Sequence, residues 1–332
     1  MLAVVLAAGR GTRLGSLTGS RSKAMMPIAG RPMIERVLDM LSRGGAQPFV
    51  VVAYPEDQAL IEHLSRPPWA ERVHLAYQKQ RLGMAHAVDC ASPLIRKTKK
   101  RAFVLAACDN LYPDGHVAAL IARRQEDSLD AALTLRWVAR EEASTTAVVL
   151  VGNGRVERII EKPGPEELRP FEQGDQALSA PSLYALSTRI LDYLPRVDTS
   201  PRGEREFPSA LQLLIEHGGR VAGQLVDDRM TLTGPRDLLA VNRHVLRTTP
   251  YEYETLIQTD LPEDVRIVKP VRIDAGARVA SRCEIGPEVY LERGCSLGVG
   301  AIVRRSVVLR GGRVEDGQLI ERAVIAQALT KK

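Results

Sequence analysis

The sequence is poor in cysteine and in long apolar runs, and each shortage excludes a class of protein. Its 332 residues include only 4 cysteines, without Cys-x-x-Cys spacing, so neither a disulfide framework nor a zinc site is expected. No apolar run is long enough to span a bilayer, and the apolar N-terminus is too short for a signal peptide. We therefore expect a cytoplasmic protein that does not associate with membranes.

Aromatic residues are also scarce, at 4% of the chain. The net charge is +6, but basic and acidic residues are interleaved, and the densest basic cluster, 96–101, directly precedes a predicted strand. Proteins that bind nucleic acid combine basic patches with exposed aromatic side chains. We therefore expect no nucleic-acid partner, and small anionic substrates account for part of the excess charge.

What the sequence does contain is a glycine loop directly after a buried strand rich in valine and leucine. Gly9 and Gly11 lie in this loop, and Arg13 and Lys23 follow it. Glycines let backbone amides approach an anion closely, and the two cations suit a triphosphate. The Walker lysine and the third glycine of the dinucleotide motif are both missing. Taken alone, the two glycines are equally compatible with a plain strand-to-loop turn.

The longer string LAAGRGTRLGSLT, followed by SKAMMPIAGRPMI, resembles the signature of the sugar-1-phosphate nucleotidyltransferases (NDP-sugar pyrophosphorylases). It is similar to that of glucose-1-phosphate and N-acetylglucosamine-1-phosphate uridylyltransferases, although Ser22 stands where the family usually has proline. Predicted strands (49–53, 73–77 and 102–107) alternate with predicted helices (32–43 and 58–64), which is typical of a parallel, doubly wound α/β sheet. The resemblance implies a Rossmann-like catalytic domain over residues 1–248.

The resemblance also assigns roles at the nucleotide end of the site. It implies catalytic roles for Arg13 and Lys23. It implies nucleotide binding by Leu6, Ala8, Gly9, Gly11, Thr12, Gln78 and Gly83. These roles are chemically reasonable, because a glutamine amide can pair with a base edge through both its donor and its acceptor, and Gly83 leaves room for the ring.

Two aspartates are candidates for holding Mg²⁺. Asp109 follows the predicted strand 102–107, and α/β sheets bind ligands at the carboxyl ends of their strands. Cys108 precedes it where the family usually has glycine. The stretch VDDRMTLT resembles the uridylyltransferase form of the second metal motif, which places Asp227 at the ligand position and leaves Asp228 as the alternative. Carboxylate oxygens are ligands that Mg²⁺ prefers.

The sugar end of the site is implied by the resemblance alone. A predicted Asn-Gly hairpin turn precedes a Glu-Lys-Pro motif, in which Glu161 is expected to accept sugar hydroxyls and Lys162 to contact the sugar phosphate. Ser182 falls in the segment that lines the sugar pocket of the family. Ala180 and Ser182 replace the usual asparagine and glycine there, which leaves the identity of the sugar open.

Apolar residues in the last part of the chain recur at alternating steps of two and four, from Ile267 to Val303. This hexapeptide pattern predicts a short left-handed parallel β-helix over 263–327, after a linker at 249–262. Relatives with an acetyltransferase on this module use a histidine, whereas the last histidine here is His244. We therefore expect the module to serve assembly, as a homo-oligomer formed through the β-helix.

The predicted activity is Mg²⁺-dependent transfer of a nucleotidyl group from an NTP to a sugar 1-phosphate, with UTP or dTTP favoured. Two alternatives stay open. One is a catalytically inactive regulatory or scaffold subunit of the same fold. The other is a cytidylyltransferase acting on a non-sugar phosphate, which would share the N-terminal signature but would not require the hexapeptide tail.

Overall fold

The computed structural model describes residues 1–9, 11–18, 21–126, 128–248 and 256–327. By its internal contacts the chain divides into two compact units, of which the first is Met1–Gly9 with Arg36–Arg229 and the second is Arg10–Glu35 with Met230–Lys332. The domain boundaries predicted from the sequence pattern stay a prediction. Residues 249–255 of the predicted linker lie outside the described residues.

Helices and strands alternate through most of the chain, as the sequence pattern predicts. The α-helices are α1 (Met33–Arg43), α2 (Gln58–Leu64), α3 (Met84–Lys97), α4 (His116–Glu126), α5 (Arg140–Ala143), α6 (Pro165–Leu168), α7 (Phe207–Glu216) and α8 (Pro235–Thr248). The 3-10 helices are Thr12–Thr18, Lys23–Met25, Arg169–Phe171, Thr188–Asp192 and Leu194–Arg196. Among the described residues, no helix combines the length and the apolar character needed to cross a bilayer.

The strands before the tail are short, and most of them belong to one sheet. They are β1 (Leu2–Leu6), β2 (Pro27–Ile28), β3 (Arg31–Pro32), β4 (Phe49–Ala53), β5 (Val73–Tyr77), β6 (Ala102–Ala107), β7 (Asn110–Leu111), β8 (Ala131–Ala139), β9 (Ala147–Gly152), β10 (Arg155–Glu161), β11 (Glu172–Gln173), β12 (Gln176–Ser179), β13 (Leu183–Ser187), β14 (Val221–Leu225) and β15 (Met230–Thr231). The core of the first unit lies against this sheet and includes Val4, Val50 and Leu105, which are fully buried.

The central sheet of the first unit has the order β10-β9-β12-β8-β13-β6-β1-β4-β5, with β14 beside β8. Strands β1, β4, β5 and β6 are mutually parallel. Strand β13 is antiparallel to both β6 and β8, and β14 is parallel to β8. It follows that β1, β6, β8 and β14 run in one direction and end at the same edge, which we call the carboxyl edge.

The α/β fold predicted from the sequence is confirmed, but the sheet is mixed instead of wholly parallel. The difference begins where two-residue turns replace helical crossovers. Asn153 and Gly154 have φ of 50° and 72° and join β9 to β10 as an antiparallel pair. An Asn-Gly turn favours this geometry, because it matches the twist of the flanking strands.

The tail of the second unit forms the predicted β-helix. Its strands are β16 (Arg266–Ile267), β17 (Val271–Ile273), β18 (Arg278–Val279), β19 (Glu284–Ile285), β20 (Val289–Leu291), β21 (Ser296–Leu297), β22 (Ile302–Arg304), β23 (Val307–Val308), β24 (Arg313–Val314), β25 (Leu319–Glu321) and β26 (Val324–Ile325). They stack as three parallel sheets, β16-β19-β22-β25, β17-β20-β23-β26 and β18-β21-β24. Residues of the hexapeptide pattern, among them Val271, Ile285 and Cys295, form a buried core cluster.

Candidate active site

The glycine loop leaves the carboxyl edge beside the first predicted metal ligand. The backbone N–H of Cys108 donates to the carbonyl of Leu6 at 3.1 Å, which joins the end of β1 to the residue before Asp109. A Cβ added to Gly9 would have no heavy atom within 4 Å. Gly9 therefore faces open space, as a ligand-binding loop requires, whereas Ala7 and Ala8 before it are buried.

A residue that the sequence analysis did not single out supports the start of this loop. The guanidinium of Arg81 donates through Nε to the carbonyl of Ala8 at 2.8 Å, and its carbon lies 3.5 Å from the centre of the Tyr54 ring. Stacking on an aromatic face and a hydrogen bond together fix the planar group. No periodicity or motif marks Arg81, because its partners are a backbone oxygen and a ring far away in sequence.

In the second unit, the structure brings the later part of the loop against the predicted catalytic lysine. Gly11 has a φ of 64°, and a Cβ added there would lie 3.1 Å from the Cβ of Lys23. Lys23 is half-buried at the start of a 3-10 turn, whereas Arg13 is exposed. Arg10 and the side chain of Thr12 are outside the described residues. Glycine is therefore favoured at position 11 for two reasons. It adopts the left-handed backbone angle, and it leaves room for the Cβ of Lys23.

Gln78 and Gly83 lie together at the start of α3. The buried Gln78 donates through Nε2 to the carbonyl of Gly83 at 3.0 Å, and the same nitrogen lies 3.2 Å from Nδ1 of His86. Gly83 has a φ of 92°, and a Cβ there would lie 2.6 Å from the carbonyl oxygen of Arg205. This glycine is thus required by the Arg205 backbone. The predicted contact of Gln78 and Gly83 with a base stays a prediction.

The two predicted metal ligands follow strands that end at the carboxyl edge. Asp109 comes after β6, and its carboxylate accepts a hydrogen bond from Nδ2 of Asn110 at 2.8 Å. Asp227 comes after β14 and is exposed. Arg229 connects the two segments, because its Nη1 donates to Oδ1 of Asn110 at 2.6 Å. Asp228 accepts the backbone N–H of Arg229 at 2.7 Å, which orients that carboxylate onto its own turn.

This arrangement fits Mg²⁺ better than a metal held by protein ligands alone. Among the described residues, no group of three or more His, Cys, Asp or Glu side chains could hold a metal ion. Mg²⁺ at phosphate sites is typically bound by one or two carboxylates, with phosphate oxygens and water completing the octahedron. Asp109 and Asp227 both follow strands that end at this edge, and their role as Mg²⁺ ligands stays a prediction.

The Glu-Lys-Pro motif lies at the end of β10. Glu161 pairs with Ala147 of β9, and the backbone N–H of Lys162 donates to the carbonyl of Thr146 at 3.0 Å. Lys162 has a φ of 47°, a left-handed conformation that non-glycine residues seldom adopt. Its Nζ lies 3.4 Å from Oε1 of Glu161. Burial raises the pKa of the Glu161 carboxyl, an effect that Lys162 opposes and Glu206 reinforces.

Both residues of this motif line a cavity of about 690 Å³. Arg202 and Glu206, which the sequence analysis missed, line the same cavity. Arg202 donates to Oε1 of the buried Glu206 at 2.9 Å, and Ser200 donates to the same oxygen at 3.1 Å. The sequence does mark this region, because Gly203 and Glu204 resemble a Gly-Glu pair of the family. Only the cavity shows that their neighbours Arg202 and Glu206 lie with Glu161 and Lys162.

Ser182 lies between the sugar end and the carboxyl edge. Its carbonyl accepts the backbone N–H of Ala107, the last residue of β6, at 3.0 Å. The buried Tyr184 donates through its hydroxyl to the carbonyl of Ala180 at 2.7 Å, and Ala180 in turn donates to the carbonyl of Ala147. A continuous path of hydrogen-bonded backbone therefore links the region of Glu161 to that of Asp109.

Comparison with known proteins agrees with this geometry. Residues 2–245 match the family model described as nucleotidyl transferase, and residues 267–330 match the model described as GMPPB C-terminal domain. The chain is 30% identical over 239 residues to the UTP–glucose-1-phosphate uridylyltransferase AglF of Haloferax volcanii, covering 71% of this chain and 93% of that protein. The family predicted from the glycine-loop signature is thereby confirmed.

Two further relatives match over a longer part of the chain. The low-salt glycan biosynthesis nucleotidyltransferase Agl11 of Haloferax volcanii is 27% identical, covering 80% of this chain and 72% of that protein. The bifunctional protein GlmU of Methanococcus maripaludis is 28% identical, covering 83% of this chain. The match spans only 61% of the GlmU length, so the likeness does not extend to that whole protein.

Proposed function

We propose that this chain, which belongs to the nucleotidyl transferase family, transfers a nucleotidyl group from UTP or dTTP to a sugar 1-phosphate with release of pyrophosphate. Among its relatives, AglF is a UTP–glucose-1-phosphate uridylyltransferase and Agl11 is a nucleotidyltransferase of glycan biosynthesis. The observation that carries the proposal is the hydrogen bond between Leu6 and Cys108, because it joins the strand that leads into the glycine loop to the residue before Asp109. A phosphate-binding loop and a metal-binding carboxylate at one sheet edge are what nucleotidyl transfer needs.

The nucleotide end is assigned to the glycine loop and to α3. Gln78 and Gly83 would hold the base, and Leu6 and Ala8 would also contact the nucleotide. The backbone of Gly9, Gly11 and Thr12, together with Arg13, would hold the β- and γ-phosphates. The ammonium of Lys23 would face the α-phosphate, where the new bond forms. Pre-placed donors and cations of this kind stabilise negative charge as it develops.

The sugar end is assigned to the cavity beside β10. Glu161 would accept sugar hydroxyls, while Lys162 and Ser182 would contact the sugar phosphate. Arg202 is a further cation that lines the same cavity. Because AglF is a UTP–glucose-1-phosphate uridylyltransferase, glucose 1-phosphate with UTP is the first pair to test.

Asp109 and Asp227 would hold Mg²⁺, with Asp228 as the alternative to Asp227. When bound, Mg²⁺ would act as a Lewis acid that offsets the charge of the phosphate groups. The donor chemistry of the carboxyl edge supports this assignment, because its two carboxylates leave further positions for phosphate oxygens and water.

The reaction needs positioning more than proton transfer. A phosphate oxygen of the sugar 1-phosphate attacks the α-phosphorus in line, and the bond from that phosphorus to the pyrophosphate oxygen breaks. The attacking oxygen is already anionic, so no general base is required. The task of Arg13, Lys23 and Lys162 is to hold two polyanions together against their mutual repulsion, which converts a bimolecular encounter into an oriented one.

Release of pyrophosphate tests the proposal. Five nucleoside triphosphates are each assayed with a panel of sugar 1-phosphates, and with choline phosphate as a non-sugar acceptor. We expect turnover with UTP or dTTP and a sugar 1-phosphate. Turnover only with CTP and choline phosphate would favour the cytidylyl alternative, and no turnover with any pair would favour an inactive subunit.

Two variants then connect the activity to the site. Lys23→Ala and Asp109→Ala should each lower kcat by about 10²–10³, the usual loss for one pre-placed charge. Lys97→Ala, at the exposed end of α3, is the matched control and should keep full activity. A Lys23 or Asp109 variant with undiminished turnover would remove that residue from the mechanism.

The predicted cytoplasmic location and the predicted homo-oligomer formed through the β-helix stay part of the proposal. Light scattering of the full-length chain tests the second. We expect a mass that is a multiple of 36.4 kDa, whereas a monomer at all concentrations would contradict it.

A further inference from the structure

The segment that carries Lys23 belongs to the same compact unit as the β-helix. Residues Arg10–Glu35 group by their contacts with Met230–Lys332 and not with the sheet from which the glycine loop emerges. The N-terminal strand and the loop that follows it are thus held by different parts of the chain. This raises the question of what the tail contributes to the position of the lysine.

One attachment lies two residues before Lys23. The guanidinium of Arg21 makes a two-pronged ion pair with Glu292 on the β-helix, through Nη1 to Oε1 and through Nη2 to Oε2 at 3.2 Å. Glu292 is 5% exposed, and its Oε2 also accepts the backbone N–H of Arg310 on the next coil at 2.8 Å. A buried carboxylate held from both sides fixes its partner in orientation as well as in distance.

A short 3-10 turn connects the Arg21–Glu292 ion pair to Lys23. The carbonyl of Ser22 accepts the backbone N–H of Met25 at 3.0 Å, and the carbonyl of Lys23 accepts that of Met26 at 3.2 Å. Only Ser22 separates Arg21 from Lys23, and this 3-10 turn follows it directly. Displacement of Arg21 must therefore displace the backbone of the lysine.

A second attachment lies at the other end of the segment. Gly30 has a φ of 76°, and a Cβ added there would lie 1.9 Å from Nε of Arg272, so the guanidinium rests against the glycine backbone. Arg272 is buried and donates to Asp274 at 2.8 Å, and Tyr290 donates to the second oxygen of that carboxylate at 2.7 Å. The β-helix thus contacts the segment Arg10–Glu35 both before and after Lys23, at Arg21 and at Gly30.

We propose that Glu292 and Arg272 of the β-helix are positioning residues for Lys23, which they hold in place through Arg21 and Gly30. The inference rests on the proposed function, because it assigns the tail a part in the nucleotidyl transfer. A buried ion pair contributes little net stability, since desolvation offsets the attraction, and its best-attested use is to specify one geometry. Lys23 has a flexible side chain, so its backbone must be held in one position if its ammonium is to contact the α-phosphate.

The test compares Glu292→Gln with a matched control on the same β-helix. Glu284 accepts two hydrogen bonds from Arg304, at 3.0 and 2.6 Å, and its partners lie on neighbouring coils. Glu284→Gln therefore removes a similar ion pair without touching the segment. Hydrogen exchange of peptides covering residues 21–32 is measured for both variants, together with kcat and KM.

We expect Glu292→Gln to increase exchange in 21–32 and to lower kcat on the order of 10- to 100-fold, as for a reacting group misplaced by up to about 1 Å. KM should change much less, and Glu284→Gln should leave both the exchange and kcat as in the wild type. Unchanged exchange in Glu292→Gln would overturn the proposal whatever the activity, and so would increased exchange with unchanged kcat.

A double variant separates positioning from stability. Arg21→Met with Glu292→Leu removes both charges at once, so no buried charge is left unpaired and the melting temperature should return towards the wild-type value. We expect kcat to stay low, because the geometry is no longer specified. Recovery of kcat along with the melting temperature would mean that the pair only stabilises the fold, and would overturn the proposal.

Failure of the proposed function can be recognised separately. If the wild type transfers no nucleotidyl group to any acceptor, the exchange of 21–32 still decides whether the β-helix fixes the segment. Increased hydrogen exchange in Glu292→Gln then shows that the β-helix holds residues 21–32 in place, whereas unchanged exchange rejects this. Activity and exchange thus report on the two proposals independently.

Discussion

Replacing Gly11 by alanine tests the contact between the glycine loop and Lys23, the proposed catalytic lysine. Gly11 has a φ of 64°, and a new Cβ would lie 3.1 Å from the Cβ of Lys23 and 3.6 Å from its backbone nitrogen. Both the backbone angle and the contact oppose the substitution. The two penalties have different consequences, because the first acts on stability and the second acts on the position of the lysine.

The magnitudes follow from the geometry. A left-handed conformation costs an L-residue about 1–2 kcal/mol, which should lower the melting temperature by a few degrees. A carbon–carbon distance of 3.1 Å is shorter than an ordinary van der Waals contact, so the Lys23 stem must move by a few tenths of an ångström. Because a displacement of about 1 Å can cost 10² in rate, we expect kcat to fall on the order of tenfold.

Gly15→Ala is the matched control in the same loop. Gly15 has φ 53° and ψ −130°, and a Cβ there would have no heavy atom within 4 Å. Its backbone penalty is at least as large, but it makes no new contact with Lys23. Calorimetry and steady-state pyrophosphate release are measured on both variants. If Gly15→Ala loses as much kcat as Gly11→Ala, or if Gly11→Ala keeps its kcat, the reasoning about Lys23 is refuted.

Three further predictions concern the nucleotide, sugar and metal ends. Gly9→Ala should leave the melting temperature unchanged, since its Cβ would enter open space, but should raise KM for the nucleotide; an unchanged KM would place the nucleotide elsewhere. Glu161→Gln should raise the melting temperature at neutral pH and lower kcat/KM for the sugar phosphate. Burial raises the pKa of Glu161, so its ionisation opposes folding as pH rises through that raised value, and the thermal difference should vanish below the ordinary carboxyl pKa. Asp227→Ala should abolish Mg²⁺-dependent turnover while Asp228→Ala retains it, and the reverse result would shift the ligand by one residue.

The strands and helices of the first half of the chain could be predicted because local signals agree with the fold. The strand Phe49–Ala53 is one continuous apolar run, because it is buried on both faces, and such a run predicts a buried strand. The helix at Gln58–Leu64 ends where Pro67 and Pro68 follow closely. The antiparallel placement of β13 between β6 and β8 could not be predicted, because its five residues carry no mark of which strands they join.

The candidate site divides in the same way. The glycines, lysines and aspartates that are proposed to carry the chemistry lie in continuous motifs, so roles for Lys23 and Asp109 could be predicted from the order of residues. Arg81 and Glu292 could not, because each contacts a partner that is distant in sequence. Arg202 could not either, because its partner Glu206 is a near neighbour and only the cavity shows that Arg202 lies with Glu161 and Lys162. Glu292 lies 271 positions from Arg21, and the hexapeptide pattern marks the burial of its neighbours without marking its partner.

Two residues at the proposed sugar-phosphate site depart from the usual preferences for backbone conformation and for exposure of charge. Lys162 has a left-handed backbone without being a glycine, and Glu161 is a carboxylate whose burial disfavours its charged form. Strain and buried charge of this kind persist only when the surrounding structure imposes them, and they concentrate at functional sites. Here β10 imposes them, because the Lys162 amide must still reach the Thr146 carbonyl at 3.0 Å. The turn that strains Lys162 also directs its backbone out of the strand, so the conformation that costs stability is the one that brings an ammonium to the cavity.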